Sequence, residues 1–308
     1  MVPNFSRGWA GSIERWFSLP FKSGILFWLG GLVAWLYHTG TDWTCVKEWL
    51  TQESTVEISL FIFIFILLMM ASTMIVGIFK RFDMVVIRFL EGYYWSGWRA
   101  NLLKYLQNQQ IARIEARFQT LAQKYDKGLP PLTSKEQAEY AHLDWQRMLL
   151  PVEDAQRMPT RLGNLLRALE LRPQEKYGLD IFVCWPRLWL VLPDNVKKEI
   201  SIARDNLDTT AHIWMWGLLF LVWTPCTAWV IIISIVVMFL AYHRMLQTAS
   251  IYGQLIESSF DLYRSNLYQE LRWPLPKNPA EERQTGEQLT AYLWRGSDSD
   301  KPNFSNNE

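Results

Sequence analysis

Residues Ile213 to Leu240 read IWMWGLLFLVWTPCTAWVIIISIVVMFL. No charged residue interrupts these 28 positions, and Pro225 sits near their middle. As one helix the run is about 42 Å long at ~1.5 Å per residue, against a hydrocarbon core of ~30 Å. A single crossing needs strong tilt. Proline has no N–H and its ring clashes with the preceding turn, so it breaks or kinks a helix, although it is also common in transmembrane helices. A turn at Thr224-Pro225-Cys226-Thr227 divides the run into arms Ala211–Trp223 and Ala228–Tyr242, roughly 20 Å each. Such arms suit a thinned bilayer or a re-entrant hairpin covered by other helices. Trp223 and Trp229 flank the turn as interface anchors. Lys197, Lys198 and Arg204 precede the run and Arg244 follows it. Basic flanks on both sides favour an even number of crossings, hence a membrane hairpin over residues 211–243 rather than one kinked, tilted span.

Two more apolar runs lie near the N-terminus. Phe21 to Tyr37 follows Pro20, which suits a helix start. It contains the small-xxx-small pair Gly30 and Ala34, a spacing that lets helices approach closely, although ordinary glycine use explains it equally simply and is preferred here. The second run, Glu57 to Phe79, is uncharged from Ile58 and is stopped by Lys80 and Arg81. Arg7, Arg15 and Lys22 precede the first span, and Lys80, Arg81, Arg88, Arg99 and Lys104 follow the second. The loop between them carries Lys47 against Asp42, Glu48 and Glu53. The positive-inside rule places the N-terminus in the cytoplasm and the short loop outside. The chain has 17 tryptophans, many beside these runs (Trp28, Trp35, Trp43, Trp214, Trp216), where an amphipathic ring sits well at the membrane–water interface.

Composition narrows the function classes. Formal net charge is +1, so no bulk electrostatic field favours nucleic acid. Cys45, Cys184 and Cys226 are far apart and odd in number, which gives neither a disulfide framework nor metal-ligand spacing. The first apolar run ends in Trp-Leu-Tyr-His, unlike a signal-peptide cleavage site, and is expected to stay as an anchor. No phosphate-cradling GxxxxGK[ST] or GxGxxG occurs. The four histidines are isolated; His212 and His243 could meet at the base of the hairpin, but interface histidines account for them more simply. No cofactor or metal is expected. The spans hold almost no ionisable side chains, which counts against an active transporter.

Between the membrane segments, Phe82 to Lys124 reads as one long or broken helix with a bend at Gly92-Tyr93-Tyr94-Trp95-Ser96-Gly97-Trp98. Apolar residues then recur at helical spacing through Leu121. Thr133 or Ser134 followed by Glu136 or Gln137 predicts a capped helix to about Leu150. Another helix starts near Thr160 and is expected to end about Leu171, before Pro173. Ile181 to Leu192 is apolar enough for a strand or a membrane-surface element, and Pro186 excludes a central strand. Arg244 to about Glu270 continues as a helix, a last one covers about Glu282 to Trp294, and the polar end is expected to be disordered.

Three blocks stand out: Arg161-Leu162-Gly163-Asn164 with Arg167, then Tyr177-Gly178-Leu179-Asp180, then Trp185-Pro186-Arg187-Leu188-Trp189. Arg161, Asn164, Arg167, Tyr177, Asp180 and Arg187 are a candidate polar network in which Asp180 pairs with one of the arginines. Its simplest role is structural; a lipid phosphate is the alternative partner. With Asp261-Leu262-Tyr263-Arg264 and the stretch to Pro276, these blocks resemble a family of uncharacterised multi-pass bacterial membrane proteins. The resemblance implies a shared architecture and brings no activity.

The expectation is an all-α integral membrane protein of the bacterial inner membrane. It comprises a cytoplasmic segment (1–20), two transmembrane helices with a short external loop (21–80), a helical cytoplasmic domain (81–210), the hairpin (211–243), a helical tail (244–295) and a disordered end (296–308). The expected function is a non-enzymatic membrane-anchored interaction or scaffold protein, whose partners beyond the bilayer are left open: a cytoplasmic protein, or further copies of the chain. The alternative is an oligomeric channel or pore-type effector gated by the cytoplasmic domain. A lipid enzyme acting through Arg161, Asp180 and Arg187 ranks last.

Overall fold

A computed structural model of the chain describes residues 24–40, 59–60, 63–64, 66–68, 83–127, 132–296 and 303–304. The expected segment 1–20, most of the second span and external loop, and most of the polar end lie outside them. The described regular structure is all-helical. In chain order it comprises α1 (Gly24–Thr39), α2 (Asp83–Glu91), α3 (Gly97–Lys127), α4 (Ser134–Met148), α5 (Arg161–Tyr177), α6 (Ile181–Val191), α7 (Asp194–Phe220), α8 (Trp229–Glu270) and α9 (Pro279–Arg295). Among the described residues one helix, α8, is long and apolar enough to cross a membrane. The chain divides into two compact units, Met1–Ile87 with Asp208–Arg244, and Arg88–Leu207 with Met245–Glu308.

In the first unit the run Ile213–Leu240 is divided between two helices. After α7 a single 3-10 turn, Leu221–Trp223, gives way to irregular backbone through Ala228. Pro225 contributes no N–H there, while Thr224 donates both its N–H and its hydroxyl to the Leu221 carbonyl, at 3.0 and 2.6 Å. The chain folds back so closely that a Cβ on Gly217 would stand 3.0 Å from the Met238 side chain. Helix α1 meets the same turn. A Cβ on Gly30 would lie 2.7 Å from the Phe220 ring, and one on Gly31 2.3 Å from the Trp223 ring. Phe27 sits 5.4 Å from Trp216 and 5.8 Å from Trp223, ring to ring. These glycines are therefore not incidental: they admit aromatic rings that any side chain would displace.

The arms of the turn belong to helices longer than the apolar run. Buried positions on α8 recur in steps of four or seven residues, through Val230, Ser234, Ala241, Met245, Ala249, Ile256, Phe260 and Leu267. In each unit the part of this 42-residue helix that belongs to it buries positions at helical spacing. The outward face changes character along it. Ile232, Ile235, Val236, Phe239 and Leu240 are exposed before Arg244, whereas the exposed positions after it are mostly polar, Gln247, Gln254, Ser258, Ser265, Gln269 and Glu270, with Ile251 and Leu262 among them.

The second unit has its main core among α5–α9, where Leu179, Cys184, Leu188, Ile200, Phe260, Leu267, Tyr268 and Leu289 are buried together. The bend at 92–96 separates α2 from α3 as the glycines predict; Gly92 has φ +98°. Helix α4 starts with the expected capping box: Thr133 Oγ1 accepts the Glu136 N–H, and the Glu136 carboxylate accepts the Thr133 N–H. Two proline readings need correction. Helix α5 does not end before Pro173 but continues to Tyr177, because a proline removes one N–H while Gly178, at φ +70°, supplies the true left-handed stop. Ile181–Val191 is not the strand that its apolar run allowed but helix α6, with Pro186 inside it. Its apolar length favours helix once Asp180 caps the first turn and Val183, Cys184 and Leu188 find the core.

Candidate functional site

Two of the candidate residues, Tyr177 and Asp180, flank the joint between α5, α6 and α9. Gly178 turns the chain with its Cα against α9; a Cβ there would meet the Arg283 carbonyl at 2.1 Å. Gly286 answers from α9, where a Cβ would stand 1.9 Å from the Tyr177 carbonyl. Backbone therefore meets backbone, and only hydrogen fits at both positions. Thr290 closes the joint: its hydroxyl donates to the Gly178 carbonyl at 3.0 Å and accepts the Asp180 N–H at 3.2 Å. The Cys184 sulfur lies 3.7 Å from the same hydroxyl, and burial pushes its thiol up to about 11, away from nucleophilic use.

Asp180 is a helix cap, not an ion-pair partner. Its Oδ1 accepts the N–H groups of Phe182 and Val183 at 2.7 and 3.2 Å. The expected pairing with an arginine does not form among the described residues, because the α6 N-terminus takes the carboxylate first. Arg187 Nη1 donates instead to the Val183 carbonyl at 2.5 Å, beside the bond that Pro186 leaves unmade. Arg167 pairs with Glu170 at 3.3 Å, and Arg161 is exposed in the first turn of α5. Asn164, fully buried, accepts the Met158 N–H at 2.7 Å and fixes the loop entering α5. The six residues thus stabilise helix ends and joints in several places rather than lining one pocket. Thr224 and Pro225 hold the turn described above.

A tighter ionic chain ties α5 to α8 and α8 to α9. Tyr177 donates its hydroxyl to Asp261 at 2.6 Å, and the Arg264 guanidinium lies 4.1 Å above its ring. Arg264 reaches Glu282 at 2.6 Å. Glu257 receives Arg172 at 2.5 Å and Lys176 at 2.6 Å. Burial pushes the Glu257 carboxyl up, but the bonds from Lys176 and Arg172 outweigh it and hold the group below its usual range. Burial and Asp261 push the Tyr177 phenol up to about 12. In sequence the signal lies in the Asp261–Arg264 stretch, but Asp261 meets Tyr177 across 84 residues and Arg264 meets Glu282 across 18.

Two further features leave no local mark in the sequence. Glu91 ends α2 in a desolvated setting that moves its carboxyl up to about 7, with Glu170 adding repulsion and Arg88 and Arg204 opposing. A cleft of ≈ 510 Å³ opens beside the joint, lined by Asp180, Phe182, Glu287, Thr290 and Trp294 among others. Phe182 and Trp294 are exposed there. No group of three or more His, Cys, Asp or Glu that could hold a metal occurs among the described residues. Compared with known proteins, the chain matches no family model, no curated protein and no solved structure.

Proposed function

We propose that this chain is a non-enzymatic, multi-pass scaffold of a bacterial inner membrane. Helix α1, the segment around Glu57–Phe79 and the turn-broken pair at 211–243 sit in the bilayer, and the helical body recruits a protein partner in the cytoplasm. The observation that carries the anchoring is the exposed surface of α8, wholly apolar over Ile231–Leu240 and mostly polar after Arg244, where Gln247, Gln254, Ser258, Ser265 and Gln269 outnumber Ile251 and Leu262. An exposed surface that is apolar and then mostly polar suits a helix that leaves lipid for water. The scaffold reading draws on the candidate residues themselves, whose polar atoms cap helices and close joints. The cleft rimmed by Phe182 and Trp294 is the surface this reading offers a partner.

The pore reading draws on Thr227 and Ser234, whose hydroxyls are buried without a hydrogen-bond partner in the apolar run. Purified chain in planar bilayers separates the two. The scaffold gives no unitary conductance at any voltage, and a partner captured from native membranes is lost when Phe182 and Trp294 are both replaced by Glu. Discrete conductance steps would overturn the scaffold.

A further inference from the structure

Helix α3 is clasped along only part of its length. Its C-terminal half is held by α4 through Arg117–Glu139 at 2.8 Å, Lys124–Glu136 at 2.7 Å and Glu115–Arg147 at 2.7 Å. Leu121, Leu132 and Leu143 are buried between the two helices. The N-terminal half, from Gly97 to Arg113, has one covered face, marked by Ala100 and Ile111. Its outer face shows Trp98, Leu102, Tyr105 and Leu106, exposed by 71%, 50%, 59% and 54%. Steps of four and three residues set Trp98, Leu102 and Tyr105 in one stripe. Tyr93 and Tyr94, in the turn before the helix, are exposed as well.

Charge on this segment has one sign. Arg99, Lys104 and Arg113 are exposed, and no Asp or Glu occurs from Gly92 to Ile114. Neither Arg99, Lys104 nor Arg113 makes an ion pair among the described residues, whereas Arg117 and Lys124 further along both do. The Arg99 guanidinium lies 5.4 Å from the centroid of the Trp98 ring. Aromatic rings with a polar edge settle at the headgroup level of a bilayer, and cations beside them are drawn to anionic lipid. A second copy of the chain fits this face less well, because a symmetric contact would bring the same unpaired cations together.

We propose that the N-terminal half of α3, with the turn at Gly92–Ser96, is an interfacial segment that lies on anionic phospholipid headgroups. This rests on the membrane-anchored reading above and names the lipid class that the anchored body touches. The cations orient the segment, and the Trp98–Leu102–Tyr105 stripe enters the boundary between headgroups and acyl chains.

The test uses the full chain reconstituted in vesicles of phosphatidylcholine, with or without phosphatidylglycerol. A photoreactive benzoylphenylalanine replaces Leu102 in one variant and Asn108, exposed on the polar flank, in another. Lipid adducts are expected at position 102 several-fold above position 108, and more with phosphatidylglycerol present. Replacing Arg99, Lys104 and Arg113 by Gln should lower the anionic-lipid adduct by roughly fivefold per cation. Equal adducts at both positions, or crosslinking of position 102 to a second chain, overturn the inference. If the chain resists alkaline carbonate yet gives no lipid adduct at 102, the interfacial segment fails alone. If carbonate releases the chain, the anchoring fails with it.

Discussion

Replacing Glu91 by Gln should make this protein more stable at pH 8 and leave it unchanged near pH 4.5. Glu91 closes α2; its backbone carbonyl accepts the Thr160 hydroxyl at 2.9 Å. The carboxyl is held where few waters reach it, next to Glu170, whose own carboxyl is also raised by burial against the pull of Arg167. A helix C-terminus adds a further unfavourable field for a negative charge. The sign follows from the direction. Below pH 4.5 the group is protonated in both folded and unfolded chains and costs nothing. As pH rises from 4.5 to about 7 the unfolded chain ionises first, so stability falls across that window and stays low above it. A tenfold change in a protonation equilibrium is about 1.4 kcal/mol, which sets a ceiling of about 3 kcal/mol. Partial solvent access at Glu91 lowers this to about 1–2 kcal/mol. Glu91→Gln keeps the shape and removes the charge. In mild detergent, thermal melts followed by near-UV circular dichroism should show the variant melting roughly 2–6 °C above the parent at pH 8. At pH 4.5 the two should coincide, and a shallow slope from Glu170 should remain in the variant. A variant that melts at or below the parent at pH 8 refutes the desolvated-carboxyl account.

Asp180→Ala removes the cap that serves two N–H groups of α6; loss of about 0.5–2 kcal/mol is expected in chemical unfolding, and no change would mean the α6 terminus is satisfied otherwise. Gly286→Ala puts a methyl onto the Tyr177 carbonyl, so α9 must shift; a cost of about 1–3 kcal/mol and faster protease cleavage between Arg272 and Glu282 are expected. Arg172→Met leaves Glu257 with Lys176 alone and should cost about 1–3 kcal/mol at pH 7. Because the native Glu257 carboxyl is held low, that cost should shrink as pH falls through the ordinary carboxylate range, and a pH-independent cost would contradict the ion pair.

Local chemistry was legible in the sequence and long-range contact was not. The Thr133–Glu136 capping box, the bend at Gly92–Gly97 and the break around Pro225 each depend on residues within a few positions, and each is where the pattern puts it. Pro173 and Pro186 misled for the same reason: a proline's local cost is one hydrogen bond and a kink, which burial of Leu169, Leu171, Val183 and Leu188 can outweigh. Asp180 reads in sequence as an ion-pair partner for an arginine, but capping by a short side chain competes with ion pairing and wins when the helix starts at the next residue. The Gly178–Gly286 contact and the Thr290 bridge join positions more than a hundred residues apart. Nothing local marks Gly286 as more than an ordinary helical glycine. Gly30 and Gly31 were visible, but the rings of Phe220 and Trp223 that need their space were not.

In the proposed topology the run from Ile213 to Leu240 enters and leaves the membrane on one side, and the helical body stays whole in the cytoplasm. Two reporters test it most directly: a phosphatase–fluorescent protein pair fused at Glu308, and the same pair inserted between Val152 and Arg157. The account predicts fluorescence and no phosphatase activity at both sites. Opposite sides for the two reporters would contradict it and make Ile213–Leu240 a single crossing.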